Sequence, residues 1–208
     1  MKYAGVDEVG CGALGGPMIA AAVGAVAPQA WTELPDFWPV QGVRDSKKTS
    51  TNQRAEILPR LLDFLHQEGA GVGVGVVSVD EINKSGYAFA MEECKARAVR
   101  LLIEDGFDPD MLIVDGTARL QRYRGPQRAV PRADGIYWVV AAASIIAKVA
   151  RDKDMAAAAL KYPGYGWERN MGYTGGSRET SVHVHGLRTL GLTPLHRVQA
   201  CQTVLSKG

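Results

Sequence analysis

YAGVDEVGCGALGGPMIAAAV, residues 3–23, holds two short apolar runs separated by a glycine-rich turn. Asp7 and Glu8 close the first run; Gly10, Gly12, Gly15, Gly16 and Pro17 follow, and Met18–Val23 is the second run. This pattern predicts a buried strand that delivers two carboxylates, turns tightly and returns as a second buried strand. Packing does not explain adjacent acids there, because an unpaired carboxylate away from water is costly. A cationic partner is therefore expected. Neighbouring residues on a strand face opposite sides, so the two acids share one ion only if the strand twists or ends between them. Gly10 and Gly12 are the residues that would permit such a departure.

Gly10-Cys11-Gly12-Ala13-Leu14-Gly15 also satisfies G-x-G-x-x-G after a strand. A dinucleotide-binding reading needs a helix next, with its N-terminus on the pyrophosphate. Gly16-Pro17 and a run of valine and alanine follow instead, and Asp7 and Glu8 would repel the pyrophosphate. A Rossmann-type enzyme is the remote alternative.

The 208 residues, 46% of them hydrophobic, suffice for one good core. No charged leader followed by a long apolar segment opens the sequence, and Met18–Pro28, the longest apolar stretch, is too short to span a bilayer. Three widely spaced cysteines, Cys11, Cys94 and Cys201, argue against a disulfide framework or a structural zinc site. A soluble cytoplasmic protein without membrane contact is expected, monomeric by default. Net charge is only +2, but residues 116–133 carry Arg119, Arg122, Arg124, Arg128 and Arg132 and no acid. Such a local basic surface suits a phosphate backbone or a solvated loop equally well.

Along the chain, Pro28–Pro39 reads as a loop and Ser50–Leu65 as a helix capped by Ser50 or Thr51, with Pro59 awkward inside it. Ala70–Val79 predicts a strand weakened by alternating glycines. Val79–Glu104 predicts one long helix capped by Asp80, and Met111–Val114 a compact strand ending at Asp115-Gly116. Gln127–Pro131 predicts a further short strand, Tyr137–Leu160 an alanine-dense helix, and Val182–Leu190 a short helix. This order is that of an α/β fold with a partly antiparallel sheet. His183 and His185 would lie about 200° apart on that last helix, on different faces, which disfavours a shared metal.

Asp7, Glu8, Asp115 and Asp134 all fall where strands end or helices begin. Asp115-Gly116 alone is an ordinary turn pair, and Asp134 alone an ordinary helix cap. Together they suit phosphodiester hydrolysis. Two hard divalent cations roughly 3.5–4 Å apart activate water and stabilise the leaving oxygen, and such ions prefer carboxylate oxygens. Without cations, like charges about 4 Å apart repel by ~4 kcal/mol at an effective dielectric near 20.

The segments GVDEVGCGALGGP (5–17), GVRDSKK (42–48), LIVDG (112–116), ADGIYWVVAAASIIAKVARDKDM (133–155), YPGYGW (162–167) and GY (172–173) resemble, in order and spacing, the ribonuclease HII family. The resemblance runs almost from end to end. It implies a ribonuclease H-like fold, a five-stranded mixed sheet flanked by helices, in a single domain. The catalytic core would end near residue 160, and a C-terminal helical extension would follow over about 161–208. It implies Mg2+- or Mn2+-dependent cleavage of RNA in RNA–DNA hybrids and incision at ribonucleotides embedded in duplex DNA. Asp7, Glu8, Asp115 and Asp134 match the family's metal-binding carboxylates. Ser46-Lys47 matches a segment near the substrate backbone, and Tyr173 a tyrosine that stacks at the RNA–DNA junction. Ser144 and Lys148, four apart on one helix face, are candidates for phosphate contact or for packing.

One departure bears on specificity. The family's glycine–arginine–glycine stands here as Gly10-Cys11-Gly12. The glycines still admit close approach to a ribose 2′-hydroxyl, but cysteine does not replace a guanidinium. Cys11 reads as a small neutral filler rather than a nucleophile. The second functional reading is a hybrid-binding module with weak or lost catalysis.

Overall fold

In the computed structural model, which describes residues 1–26, 38–43, 49–177 and 180–206, strand β1 (Lys2–Val9) is buried from Ala4 to Asp7. Strand β2 (Met18–Val26) returns antiparallel to it in unbroken register, from Lys2 opposite Val26 to Val9 opposite Ile19. With β3 (Gly71–Val77), β4 (Met111–Asp115) and β5 (Gln127–Val130), the sheet order is β3-β2-β1-β4-β5. β4 runs parallel to β1, and β5 parallel to β4. This is the expected mixed five-stranded sheet. Because strand β2 follows Pro17, no helix N-terminus succeeds the glycine motif, and the dinucleotide reading lapses.

Helix α1 (Thr51–Gln67) starts at Ser50, which forms a capping box with Gln53, and it carries Pro59 in its interior. The single helix expected over Val79–Glu104 is two. Helix α2 (Val79–Ser85) ends at Gly86, whose φ of 85° breaks the run before α3 (Tyr87–Glu104). Its cap is Ser78, reciprocated by Glu81, not Asp80. A hydroxyl one residue earlier reaches the third helical N–H, which a residue already inside the helix does not. Helix α4 (Trp138–Lys161) follows a 3-10 turn at Ala133–Gly135. The one-turn α5 (Trp167–Asn170), α6 (Val182–Leu190) and α7 (Val198–Leu205) complete the chain.

Two compact units divide these elements: Met1–Val9, Ile19–Val76 and Glu92–Val149 form one, and Gly10–Met18, Val77–Met91 and Ala150–Gly208 the other. In the first unit, helices cover both sheet faces. A Cβ on Gly73 would meet Ala98 O and Leu102 N of α3, and one on Gly75 would meet Cys94 O and Ala98 N. The alternating glycines of β3 are thus the places where α3 lies against the strand. A Cβ on Gly5 would strike the backbone of α4 at Val139 and Val140. Val139, Val140 and Ile145 of α4 are almost wholly buried, each contributing about 1.5–3 kcal/mol of hydrophobic stabilisation. Among the described residues no helix is long and apolar enough to cross a membrane.

Candidate active site

β1 stays regular through Val9, with Asp7 opposite Ala21 and Glu8 opposite Ala20, so the strand neither ends nor slips between the two acids. They leave on opposite faces, as the pleat requires. Asp7 turns toward α4, where the Ser144 hydroxyl hydrogen-bonds to its carboxyl. Glu8 turns toward α3 and pairs with Lys95 Nζ at 3.0 Å. The cationic partner expected for this pair of acids is therefore partly a protein side chain. Lys95 is itself only 7% exposed. Nothing in the sequence distinguished it from the other lysines.

Parallel pairing of Val6 with Val114 places Asp115 beside Asp7 on the neighbouring strand. Asp115 Oδ1 accepts from Ala133 N–H at 2.7 Å, which ties the end of β4 to the 3-10 turn bearing Asp134. Asp134 is 8% exposed, and it sits inside that turn rather than capping α4. The first unit thus collects Asp7, Asp115, the Asp134 turn and Ser144, while the Glu8 carboxylate is held from the other face. Lys148 lies one turn beyond Ser144 on α4 and is half-buried. Ser46 and Lys47 lie outside the described residues.

Burial pushes the Asp7 carboxyl up to about 8, and the charges of Glu8 and then Asp115 push the same way. The Ser144 hydroxyl and the Glu8 N–H, the latter at 2.8 Å from Oδ1, pull it back. Among the described residues no three His, Cys, Asp or Glu side chains converge as a metal cage. The donor set still fits a hard cation. It offers carboxylate oxygens, and burial, reinforced by the charges of Glu8 and Asp115, favours the neutral Asp7 carboxyl until positive charge arrives. Cys94, nearby on α3, is inert: burial, reinforced by the Glu8 charge, pushes its thiol up to about 12. Of the basic stretch 116–133, Arg122 bonds Glu93 at 2.8 Å and so fastens the β4–β5 connection to α3.

The second unit holds Gly10, Cys11, Gly12 and Tyr173. Gly10 and Gly16 have φ of 96° and 82°, which gives the loop its tight turns. Two buried guanidiniums bind the loop's carbonyls. Arg197 donates to Gly10, Cys11, Gly16 and Pro17 at 2.6–3.2 Å, and Arg151 to Gly15 and Pro17, both at 2.9 Å. Leu14 and Gly15 donate their N–H groups to Gly172 O, so the turn before Tyr173 is joined to the same loop. The Tyr173 ring lies over the Arg151 guanidinium at 5.2 Å. Cys11 is half-buried, whereas a Cβ added at Gly12 would meet open space. Both arginines escaped the sequence reading, since in a single sequence an arginine that chelates backbone looks like any other.

His183 and His185 separate as predicted, His183 fully buried and His185 exposed. His183 Nδ1 lies 2.8 Å from Tyr173 O, and its Nε2 receives Trp167 Nε1–H at 3.0 Å. His196 Nδ1 accepts from Thr193 N–H at 2.8 Å, so its Nε2–H points at His183 Nε2, 3.1 Å away. Every position has one consistent assignment only when both rings are neutral. Burial lowers the pKa of each, that of His196 to about 4 with His183 adding to the effect. A histidine whose folded value lies below its free value contributes stability above about pH 6.5, and that stability is lost as pH falls toward 4. In an Asp7→Asn background, which removes an opposing slope, the thermal midpoint should fall between pH 6.5 and 4.5. Adding His196→Asn should flatten that fall, and an equally steep slope would clear the imidazoles of the effect.

Comparison with known proteins gives this geometry a class. Crystalline ribonuclease H2 from Pyrococcus horikoshii superimposes with a TM-score of 0.73 at 26% identity, over 100% of this chain and 98% of that one. A ribonuclease HIII solved in complex with Mn2+ shares the fold at 19% identity, with a TM-score of 0.67 over 100% of this chain and 70% of that one. The molecule is a nuclease of the ribonuclease H fold. Residues 4–203 match the family Ribonuclease HII, and the Ribonuclease HII of Rhizorhabdus wittichii is 38% identical over 198 residues, covering 95% of this chain and 86% of that protein. The chain belongs to the ribonuclease HII family. It is an endonuclease that hydrolyses the RNA strand of RNA–DNA hybrids.

Proposed function

We propose that the protein also incises duplex DNA at embedded ribonucleotides, and that it hydrolyses both substrates with Mg2+ or Mn2+ held by Asp7, Glu8, Asp115 and Asp134. The observation that carries this reading is the strand register that sets Asp7 beside Asp115, with Glu8 next in β1 and the Asp134 turn tied to Asp115 through Ala133 N–H, a set of carboxyl groups suited to hard cations. When bound, such ions supply a nucleophilic water and charge neutralisation at the phosphoryl oxygens. The chain's own contribution is orientation. Ser144 fixes the Asp7 carboxyl, Ala133 N–H fixes that of Asp115, and Lys95 restrains Glu8. Ser46-Lys47 lies near the substrate backbone, as the family pattern implies, and Lys148, one turn past Ser144, supplies a further cation for a substrate phosphate.

Gly10, Cys11 and Gly12 receive the ribose 2′-hydroxyl through backbone groups, and Tyr173 stacks on the sugar or base at the junction. Cys11 weakens preference for the lone ribonucleotide without touching the chemistry. The protein acts as a cytoplasmic monomer, its core ending near residue 160.

Two labelled duplexes test this, one with a single ribonucleotide in DNA and one an RNA–DNA hybrid, each with Mg2+, Mn2+ or chelator. Cleavage of both, 5′ to the lone ribonucleotide, supports the reading. Cys11→Arg should raise the ratio of junction to hybrid cleavage by about tenfold, as one restored charge-assisted contact implies. Cleavage of the hybrid alone, unchanged by Cys11→Arg, would remove the junction activity. Binding without cleavage under either ion would leave a hybrid-binding module.

A further inference from the structure

We infer that His183 is a positioning residue for substrate recognition: its Nδ1–H holds the Tyr173 carbonyl and so fixes where the Tyr173 ring is presented. This rests on the reading of Tyr173 as a substrate contact.

Tyr173 sits between two glycine-bearing turns, where its backbone would otherwise be free to rotate. Its N–H donates to Asn170 O at 2.9 Å, a bond local to the α5 turn. Its carbonyl is held by a side chain ten residues away, His183, at 2.8 Å. The ring is left to lie over Arg151 at 5.2 Å, and Arg151 is itself anchored on Met171 O at 2.8 Å and on Gly15 O. The backbone is thereby tied from outside the turn at three successive carbonyls: Leu14 and Gly15 N–H hold Gly172 O, the Ser181 hydroxyl holds Thr174 O, and His183 supplies the tie at the carbonyl of Tyr173 itself.

The other face of His183 makes the tie rigid. Trp167 Nε1–H is a donor only, so His183 Nε2 accepts from it and the ring's proton sits on Nδ1, aimed at Tyr173. His196 Nε2–H closes on the same Nε2, and Thr193 fixes the His196 ring from behind. The rings of Trp167 and His196 pack within 5.7 Å and 5.3 Å of His183, centroid to centroid. Tautomer and orientation of His183 are therefore dictated from within the second unit, and the single outward consequence is the hydrogen bond to Tyr173.

Two substitutions separate the ends of the ring. An asparagine amide at 183 occupies the place of Nδ1 and keeps the Tyr173 tie. A glutamine amide reaches the place of Nε2 and keeps the contact with Trp167 and His196. KM and kcat for a duplex with one ribonucleotide, and the thermal midpoint, are measured for His183→Asn, His183→Gln and Tyr173→Ala, and for His183→Gln combined with Tyr173→Ala. The expected result is KM near wild type for His183→Asn and raised about tenfold for His183→Gln, with kcat changed little, as loss of one directed hydrogen bond implies. In the Tyr173→Ala background the effect of His183→Gln on KM should vanish. Equal KM for the two His183 variants, or an effect of His183→Gln that persists without the Tyr173 ring, overturns the inference while leaving Tyr173 a contact. A Tyr173→Ala enzyme with unchanged KM removes the contact itself, and the inference with it. If His183→Gln does not fold, His183→Asn is compared with His183→Ala: KM near wild type for asparagine and raised about tenfold for alanine sustains the positioning role, and equal KM for the two defeats it.

Discussion

Asp7→Asn is expected to lower hybrid cleavage by about a thousandfold or more and, in the same preparation, to raise the thermal midpoint of the metal-free protein at neutral pH. Both effects have one origin. Asp7 is 7% exposed, and burial first, then Glu8 and Asp115, hold its carboxyl up at about 8. The folded value lies above the free value of 3.8, so the folded protein binds the proton more tightly than the unfolded chain does. The stability this contributes is fully present below about pH 4 and is lost as pH rises through 8. Asparagine reproduces the neutral acid at every pH. Its advantage should be absent near pH 4 and should grow to several degrees by pH 8, at about 2–4 °C per kcal/mol for a chain of this size. The Ser144 hydroxyl still finds an amide oxygen at position 7, so the fold survives. Added Mg2+ or Mn2+ should stabilise the wild type and reverse its pH slope, because a ligand that binds only the folded state adds its binding energy to stability. The variant should respond far less. Unchanged turnover in a folded Asp7→Asn protein would sink the site assignment, and a flat pH profile would sink the electrostatic account.

That pairing of activity with instability explains which parts of the molecule were legible in sequence. Apolar runs with acids at their ends mark β1 and β4, because a buried carboxylate has no packing rationale and stands out. Ser50 and Gln53 at the start of α1, and the breadth of α4, follow from local rules that a single sequence displays. Where a tertiary partner overrides local preference, the sequence misleads. Gly71, Gly73 and Gly75 look like a weakness in β3 until α3 is seen lying on them. Gly86 reads as one tolerated glycine in a long helix, but it takes a positive φ and makes two helices. The opposite faces of Asp7 and Glu8 were a foreseeable consequence of strand geometry, yet their separate partners, Ser144 and Lys95, were not. Those partners lie 137 and 87 residues on, and only the packing of α3 and α4 identifies them. The same holds for Arg151 and Arg197, whose hydrogen-bond partners are backbone carbonyls and leave no complementary residue to search for.

Arg197→Lys should lower the thermal midpoint by about 10 °C and should free the Gly10–Pro17 loop, although it keeps the charge. Arg197 is 3% exposed, and burial followed by the Arg151 charge lowers its pKa to about 10, so at neutral pH it remains a buried cation. What holds it is geometry. Nε and one terminal nitrogen both reach Gly16 O, at 3.0 and 2.8 Å, while the other terminal nitrogen reaches Gly10 O at 2.6 Å. Further bonds to Cys11 O and Pro17 O follow at 3.2 and 3.0 Å. A planar fork spans carbonyls from both ends of the loop; an ammonium is a single point with three donors and leaves at least one end bare. Breaking a buried charged network by altering one partner costs about 3–5 kcal/mol, a large share of a total stability of about 5–15 kcal/mol. Because the same loop carries Gly10, Cys11 and Gly12, junction cleavage should fall further than hybrid cleavage. Amide exchange at Ala13 and Gly16, which bond Gly10 O and Leu195 O, reports the loosening directly. A lysine variant with native midpoint and native exchange would show that charge alone secures the loop. A loss of exchange protection confined to residues 10–17 would show that the fork does.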